Sequence, residues 1–577
     1  MSSVPLVPEL DQSLPVLGSD EGRLSWLASV DQKQIGLMSL ATTGLFFVVG
    51  GLDALLRRIQ LARPNNTVLT PQNYNQPFTL HGNTMIFLVV LPVLIGIGTY
   101  LVPLMIGARD MAFPRLNQMS LWLLVFGSLV LYYSFVAGGA PDAGWHAYPP
   151  LTEKDYSPNP GLDYYSIGLL ITGIGTVASG INLLVTIFTM RTPGLTMRRL
   201  PLFVWMTMVN GFLILGALPA LNASLVMIFF DRQLNAHFFD VKNGGSAILW
   251  QHYFWSFGHP EVYIMVLPAF GIISEVIPVF SRKPIYGYSF VAASTVAIAF
   301  FSFAVWAHHM FAAGMSQTLD LIFGGSSMLI AIPTGIKIFN WLATIWGGKV
   351  RFTTSMLFAL GFLSMFTIGG LSGVTFAVFP VDWQVTASYY VVAHMHYVLF
   401  GGTLFAILAG VYYWFPKMSG RMLSEAWGKW HFWLMFAGFN LTFFPMHILG
   451  IMGMSRRIFT YPDRPGWGGL NMISTAGSLL LAVSVLIFLI NVVLSSRRGP
   501  PAGPNPWDAG TLEWATSSPP PPHNFDLVPP VRGRRPLWDI AHPAAPDRPS
   551  RTDSPPTTGR MAGGALPPGR DADARPE

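Results

Sequence analysis

Long apolar runs, broken by short polar or Pro/Gly-rich stretches, dominate the first 498 residues of the chain. A membrane-spanning helix needs about 20 mostly apolar residues. By that measure the pattern predicts twelve helices, near 37–56, 82–106, 118–138, 164–190, 202–229, 247–280, 287–316, 321–346, 355–378, 389–415, 429–451 and 471–495. The expected fold is therefore all-α, a polytopic membrane protein, with a twelve-helix domain over 37–498 and a short segment, 1–36, before it. From 499 onward Pro, Arg, Gly and Asp take over and the periodicity disappears, so 499–577 reads as a mostly disordered tail. Within it Thr511–Phe525 (TLEWATSSPPPPHNF) is specific enough to dock on the membrane domain.

Basic residues set the expected orientation. Arg109 and Arg115, Arg198 and Arg199, Arg282 and Lys283, Lys349 and Arg351, and Lys417 and Arg421 all fall in alternate loops. Those loops are expected in the cytoplasm, with both termini. The first residues, with Pro5, Asp11 and Glu21, lack the basic start and short apolar core of a signal peptide.

Composition narrows the chemistry. Hydrophobic residues make up 51% of the 577 and charged residues only 11%, whereas soluble domains carry about 25% charged. The net charge of +6 is therefore read as loop charge, not as a nucleic-acid footprint. Cysteine is absent, which excludes disulfides, thiolate zinc, iron–sulfur clusters and covalent c-type haem within the chain. Metals must be held by imidazole, carboxylate or backbone.

Of 13 histidines, His81, His259, His308, His309, His394 and His396 fall at predicted membrane depth, where ionisable side chains are costly and point to function. On a helix His308 and His309 are about 100° apart and can reach one metal. His394 and His396 are about 200° apart and suit two planar cofactors flanking one helix. Neutral imidazole is a good axial ligand for haem iron, and His81, near the start of helix 2, could supply the second ligand of one haem. His259 could complete a three-imidazole copper site with His308 and His309. In Gly258–Tyr263 (GHPEVY), His259 and Tyr263 share a helix face at i and i+4. Glu261 between them is a proton-relay candidate. Lys337, with Thr334 in IPTGIKIFNW, is a second buried charge suited to a water-filled path. A transporter of twelve helices is the competing reading from another class; it would carry no haem absorbance.

At these residues the chain resembles subunit I of the haem–copper oxygen reductases, in the cytochrome c oxidase branch with the glutamate-containing proton pathway. The motifs are HGNTMIF, PLMIGARDMAFPRLN, PLFVW, WQHYFWSFGHPEVY, WAHHMF, AIPTGIKIFNW, YYVVAHMHYVLFGG and GMSRR, within a resemblance running from about 37 to 540. It implies reduction of O2 to water, coupled to proton pumping, by two haems of the a type and one copper, CuB. His81 and His396 match the low-spin haem ligands, His394 the high-spin haem ligand, and His259, His308 and His309 the CuB ligands. Tyr263 matches the tyrosine cross-linked to His259. Arg456 and Arg457 match the pair that holds the haem propionates, and Arg58 an arginine near the haem formyl group. Asp110 matches the entrance of a proton route lined by Asn117 and Asn182 and ending at Glu261. Lys337, Thr334 and Ser274 match a second route leading toward Tyr263.

The resemblance also implies a bacterial plasma membrane, a subunit II carrying CuA, a subunit III and further small subunits, and cytochrome c as donor. Two departures stand out: Thr99 replaces a lining asparagine of the first route, and Thr386 and Ala387 replace a magnesium-binding His–Asp pair. A quinol oxidase is the alternative. Asp53 and Gln76 match two quinol-contacting positions, but Val49 and Asn73 depart from the other two. A nitric oxide reductase would share the six histidines but not the GHPEVY tyrosine, Asp110 or Lys337. His237, His252, His431 and His447 match no ligand and read as interfacial or structural; His146, His523 and His542 read as loop or tail residues.

Overall fold

The computed structural model describes residues 25–542; the expectations for 1–24 and 543–577 lie outside them. Eleven helices among the described residues are long and apolar enough to cross a membrane. In chain order, with one shorter apolar helix, they are α1 (Gln32–Gln60), α2 (Pro71–Ile106), α3 (Pro114–Tyr133), α4 (Gly161–Thr189), α5 (Leu202–Leu234), α6 (Ala247–Ser281), α7 (Tyr288–Ser302), α8 (Gln317–Ile345), α9 (Thr354–Ala377), α10 (Tyr389–Ser419), α11 (Glu425–Ile451) and α12 (Trp467–Arg498). The twelve apolar runs each yield a helix. The bundle is a multi-pass membrane fold, because only helices that satisfy their own backbone polar groups tolerate a lipid surround. Leu479, Val483 and Leu486 on α12 keep apolar side chains exposed on the outside.

Two helices differ from expectation in ways that matter for the site. The run at 287–316 was expected to be one helix; α7 instead ends at Ser302. Ala304 N bonds Phe301 O and His308 N bonds Val305 O, and the chain tightens into a 3-10 turn, Trp306–Met310, carrying His308 and His309. The two imidazoles are therefore presented by a tight turn, not by a long helix. Helix α2 starts eleven residues before the expected 82, so His81 lies well inside it. Thr70 accepts from Asn73 N as its N-cap and Pro71 follows at the first position, a start signal that the polar PQNYNQ stretch conceals.

Wide π turns follow two of the histidines: Thr84–Val90, three residues after His81, and Leu399–Leu404, three residues after His396. Such turns gather at functional sites.

The expectation of a mostly disordered tail is corrected for 499–542, which lies against the face carrying the basic loops. Lys417 Nζ donates to Pro504 O, Thr516 O and Ser517 O at 3.0, 2.7 and 3.1 Å. Trp507 and Trp514 donate to Tyr413 O and Tyr413 Oη at 2.8 and 3.1 Å. Arg534 stacks 3.9 Å from the Tyr288 ring. Composition misleads here because the segment builds no core of its own; it borrows donors and aromatic sockets from the membrane domain.

Candidate metal and proton-transfer site

Four imidazoles are fixed in the same tautomer. His81 Nδ1 lies 2.8 Å from Gly50 O, His396 Nδ1 2.8 Å from Val392 O and His394 Nδ1 3.0 Å from Gly369 O. A carbonyl only accepts, so each Nδ1 carries the proton and leaves an Nε2 lone pair. His308 Nδ1 lies 2.6 Å from Ser327 Oγ, whose own hydrogen goes to Phe323 O. The serine therefore accepts, and His308 Nε2 is left free as well. Orientation of a ligand imidazole by a bond at its other nitrogen is the usual arrangement around metals.

His81 and His396 face each other with centroids 6.3 Å apart and planes within 15°. Metal–imidazole bonds are about 2.0–2.1 Å, so this spacing leaves the width that one metal held from both sides requires. His394 turns the other way, onto α9, where Ser372 Oγ is 2.9 Å from its Nδ1. A Cβ added at Gly373 would meet its Cε1 at 3.1 Å, so the absent side chain there makes room for the ring. The opposite-face geometry of 394 and 396 is present.

His259, His308 and His309 bring one ligand atom each within 4.8 Å of one another. His259 Nδ1 and His309 Nε2 are 3.2 Å apart. The other nitrogen, His259 Nε2, is buried without a partner, and the Tyr263 ring lies beside it at 4.8 Å between centroids. Trp255 stacks on His309 at 3.8 Å and 12° and donates its indole N–H to Tyr148. Three imidazoles with an open side suit copper, so the donor set fits.

Arginines supply hydrogen-bond donors that suit the polar edges of a cofactor. Arg58 is 7% exposed. Its Nη2 donates to Asn471 O, Asn471 Oδ1 and Thr475 Oγ1 at 2.9, 3.1 and 3.2 Å, while Nε and Nη1 are buried without acceptors. Arg456 is held down to about 10 by burial and by the charge of Arg457. Arg457 Nη2 donates to His146 Nδ1 at 2.7 Å. His146, read from sequence as a loop residue, is buried, and burial with the neighbouring arginines holds it well below its ordinary value. Beside the departing Thr386 and Ala387, Asp382 is pushed up to about 7 by burial, against the pull of Arg456.

Of the residues matched to the first proton route, Asn117 and Asn182 are buried and neighbour the loop that carries Asp110. Asp110 sits in the α2–α3 loop, accepts from Met111 N at 2.7 Å and is pushed up to about 6 by burial. Asn182 spends both amide atoms on Phe113, accepting from its N at 2.9 Å and donating to its O at 3.0 Å, so it clamps the loop. Asn117 keeps a buried Nδ2 without a partner and opens on a narrow cavity between α1, α2, α3 and α4. Ser39, Thr99, Ser120, Thr172 and Thr176 are among its lining residues. Glu261 is 1% exposed with neither oxygen partnered. On the second route Lys337 Nζ donates to Val291 O and Thr295 Oγ1 at 2.9 and 2.6 Å. Trp341 Nε1 donates to Ser274 Oγ at 3.0 Å, and Thr334 Oγ1 donates to Ile330 O. Thr295, Ser327 and His146 carry no motif signal of their own; only the fold places them.

Fold and site together define a membrane-spanning helical bundle that gathers imidazoles and buried polar groups in its interior. The family model for cytochrome c and quinol oxidase polypeptide I matches residues 34–480. Over 520 residues the chain is 50% identical to cytochrome c oxidase subunit 1 of Bacillus subtilis, covering 90% of this chain and 83% of that one. It is 49% identical over 525 residues to the probable cytochrome c oxidase subunit 1-beta of Nocardia farcinica, covering 90% and 89%. The quinol oxidase subunit 1 of Bacillus subtilis is 47% identical over 512 residues, covering 88% and 79%. A solved haem–copper terminal oxidase dimer shares the fold, with a TM-score of 0.70 over 82% of this chain and 84% of that one at 20% identity. The chain belongs to the cytochrome c and quinol oxidase polypeptide I family.

Proposed function

We propose that the chain is the oxygen-reducing subunit of a bacterial cytochrome c oxidase, taking electrons from cytochrome c through a CuA-bearing subunit II and working with subunit III and further small subunits. The observation that carries this reading is the set of four imidazoles with Nδ1 bonded away and Nε2 left as a lone pair. Haem iron and copper, when bound, would relay the donor's electrons and supply the oxygen-binding positions.

His81 and His396 hold a low-spin haem, His394 a high-spin haem, and His259, His308 and His309 CuB, with haems of the a type. Arg456 and Arg457 anchor the propionates, with His146 accepting from Arg457, and Arg58 offers its free N–H groups to the formyl oxygen. Tyr263, beside the unpartnered His259 Nε2 and matching the family's cross-linked tyrosine, would give an electron and a proton. Asp110, Asn117 and the cavity above it carry protons to Glu261; Ser274, Thr334 and Lys337 serve Tyr263. The termini and the basic loops lie in the cytoplasm.

The test is a reduced-minus-oxidised spectrum with copper analysis on single variants. His308→Ala and His309→Ala should remove CuB and abolish oxygen uptake while leaving the low-spin spectrum nearly intact. His396→Ala should do the reverse spectrally. Loss of the same haem signal from both His394→Ala and His396→Ala overturns the ligand assignment. Oxidation of a quinol, with no oxidation of reduced cytochrome c, overturns the donor.

A further inference from the structure

Asn524 lies in the docked C-terminal segment, far in sequence from the helices, yet it is fully buried. Its backbone takes φ +67°, the left-handed region that asparagine tolerates better than most residues. Its side chain ties the first turn of α1 to the loop that carries Asp110. Nδ2 donates to Ala108 O at 2.9 Å, two residues before Asp110. Oδ1 accepts from Gln32 Nε2 at 2.9 Å and from Lys33 Nζ at 3.1 Å, in the first turn of α1. Lys33 Nζ also donates to Pro522 O at 2.9 Å and pairs with Asp31 at 3.2 Å. Asp31 in turn caps α1 by accepting from Lys33 N at 2.7 Å.

Every hydrogen-bonding atom of this amide is engaged, and three of its partners belong to the surroundings of Asp110. The charged groups facing Asp110 are Asp31 and Lys33, both from the start of α1, and the backbone N–H groups of Gln32 and Met111 bond its carboxyl. The C-terminal segment contributes an amide and a carbonyl but no charge. Its part is to fix where Lys33 and the 108–110 loop sit.

We propose that Asn524 is a positioning residue for proton uptake: by clamping Lys33 and Gln32 to Ala108 O, it makes the C-terminal segment the rim of the Asp110 mouth. This rests on the reading of Asp110 as the entrance of the first proton route. A buried amide with three partners costs free energy to remove wherever it sits, so stability loss alone does not distinguish a clamp at a proton mouth from a plain staple. The distinction lies in which kinetic constant moves. A disturbed mouth slows proton delivery, a defect that grows as protons become scarce, and leaves the cytochrome c surface untouched.

The experiment uses the assembled holoenzyme with its partner subunits and measures steady-state turnover against pH, with Asp110→Asn beside Asn524→Ala, Asn524→Asp and Lys33→Met. Asn524→Ala should lower kcat by roughly tenfold near pH 9 and by no more than roughly twofold near pH 6, with KM for cytochrome c and the haem spectrum unchanged. Asn524→Asp, which keeps the acceptor for Gln32 and Lys33, should recover part of the loss. Should Asn524→Ala fail to assemble, Lys33→Met decides: a loss that steepens with pH supports the clamp, and an unchanged profile overturns it. A slow Asp110→Asn enzyme beside an Asn524→Ala enzyme with wild-type kcat at every pH overturns the proposal while leaving the route standing. An Asp110→Asn enzyme with normal uptake overturns the route, and the proposal with it.

Discussion

Glu261 and Lys337 are both ionisable residues buried within membrane-length helices, and their surroundings differ in kind. Neither oxygen of Glu261 has a protein partner, although the residue is only 1% exposed. Lys337, with no exposure, donates to Val291 O and Thr295 Oγ1 and lies 5.9 Å from the Phe270 ring. Burying a polar group without a hydrogen bond is costly, so Glu261 must draw its partners from water or from what the histidines hold. Lys337 has partners already and must release them to move. The proposed first route, with an unpartnered Asn117 amide and a cavity lined by hydroxyls, is organised around space. The second, with Thr334, Ser274 and Lys337 all tied down, is organised around bonds that open.

That contrast can be broken by experiment. The largest effect should come from Glu261→Gln, because a residue with no substitute partner has no bypass: turnover should fall roughly 10²-fold or more. Single-turnover kinetics from the fully reduced enzyme should arrest before proton uptake, and normal pumping would remove the relay role. Lys337→Met should come next, with turnover reduced by roughly tenfold or more through slow reduction of the buried site. The reaction of the fully reduced enzyme with oxygen should stay fast; slowing there would erase the difference between the routes. Thr295→Val deletes one of the two bonds that hold the lysine, worth about 1–3 kcal/mol. It should alter the same kinetic phase as Lys337→Met by a smaller factor, and a change in the other phase would misplace Thr295.

The smallest effect concerns Asp110. Burial raises its carboxyl to about 6, so the folded protein holds this proton more tightly than the unfolded chain does. The resulting stability is present at low pH and is lost as pH rises from the ordinary carboxyl range through 6. Asp110→Asn should therefore melt slightly above the parent at pH 7–8, with the gain fading toward pH 4. A thermal midpoint below the parent at pH 8 would show that the carboxylate is satisfied, not strained, at the mouth.

The histidines were legible in the sequence because imidazole in an apolar run has few structural excuses, and the two-residue spacing of 394 and 396 already separates their faces. What fixes them was not legible. Gly50 O, Val392 O and Gly369 O are backbone atoms with no sequence signature, and Ser327 reaches His308 only because the chain tightens at Trp306–Met310. The long apolar run at 287–316 hides that turn, since hydropathy counts residues and not hydrogen bonds. In the tail only Thr511–Phe525 was legible as a docking stretch, and its Glu513 and Asn524 are fully buried in sockets supplied by α10 and by the loop of Asp110; the rest of 499–542 carried no such signal because it borrows its partners from the membrane domain.

The wide turns after His81 and His396 bear on how relatives should be aligned. A π turn takes up one residue more than an α turn, so the helix beyond it runs about 100° out of phase with the helix before it. Within α2 and α10, a heptad-like count carried across 84–90 or 399–404 would assign core residues to lipid and lipid-facing residues to the core. A single-residue gap between relatives in these helices is accordingly best placed inside those segments, where the extra residue can be shed without moving either helix end. Removing one residue there by design should leave a membrane-length α-helix with both halves facing as before, whereas the same deletion elsewhere in α2 or α10 should rotate one half by about 100°.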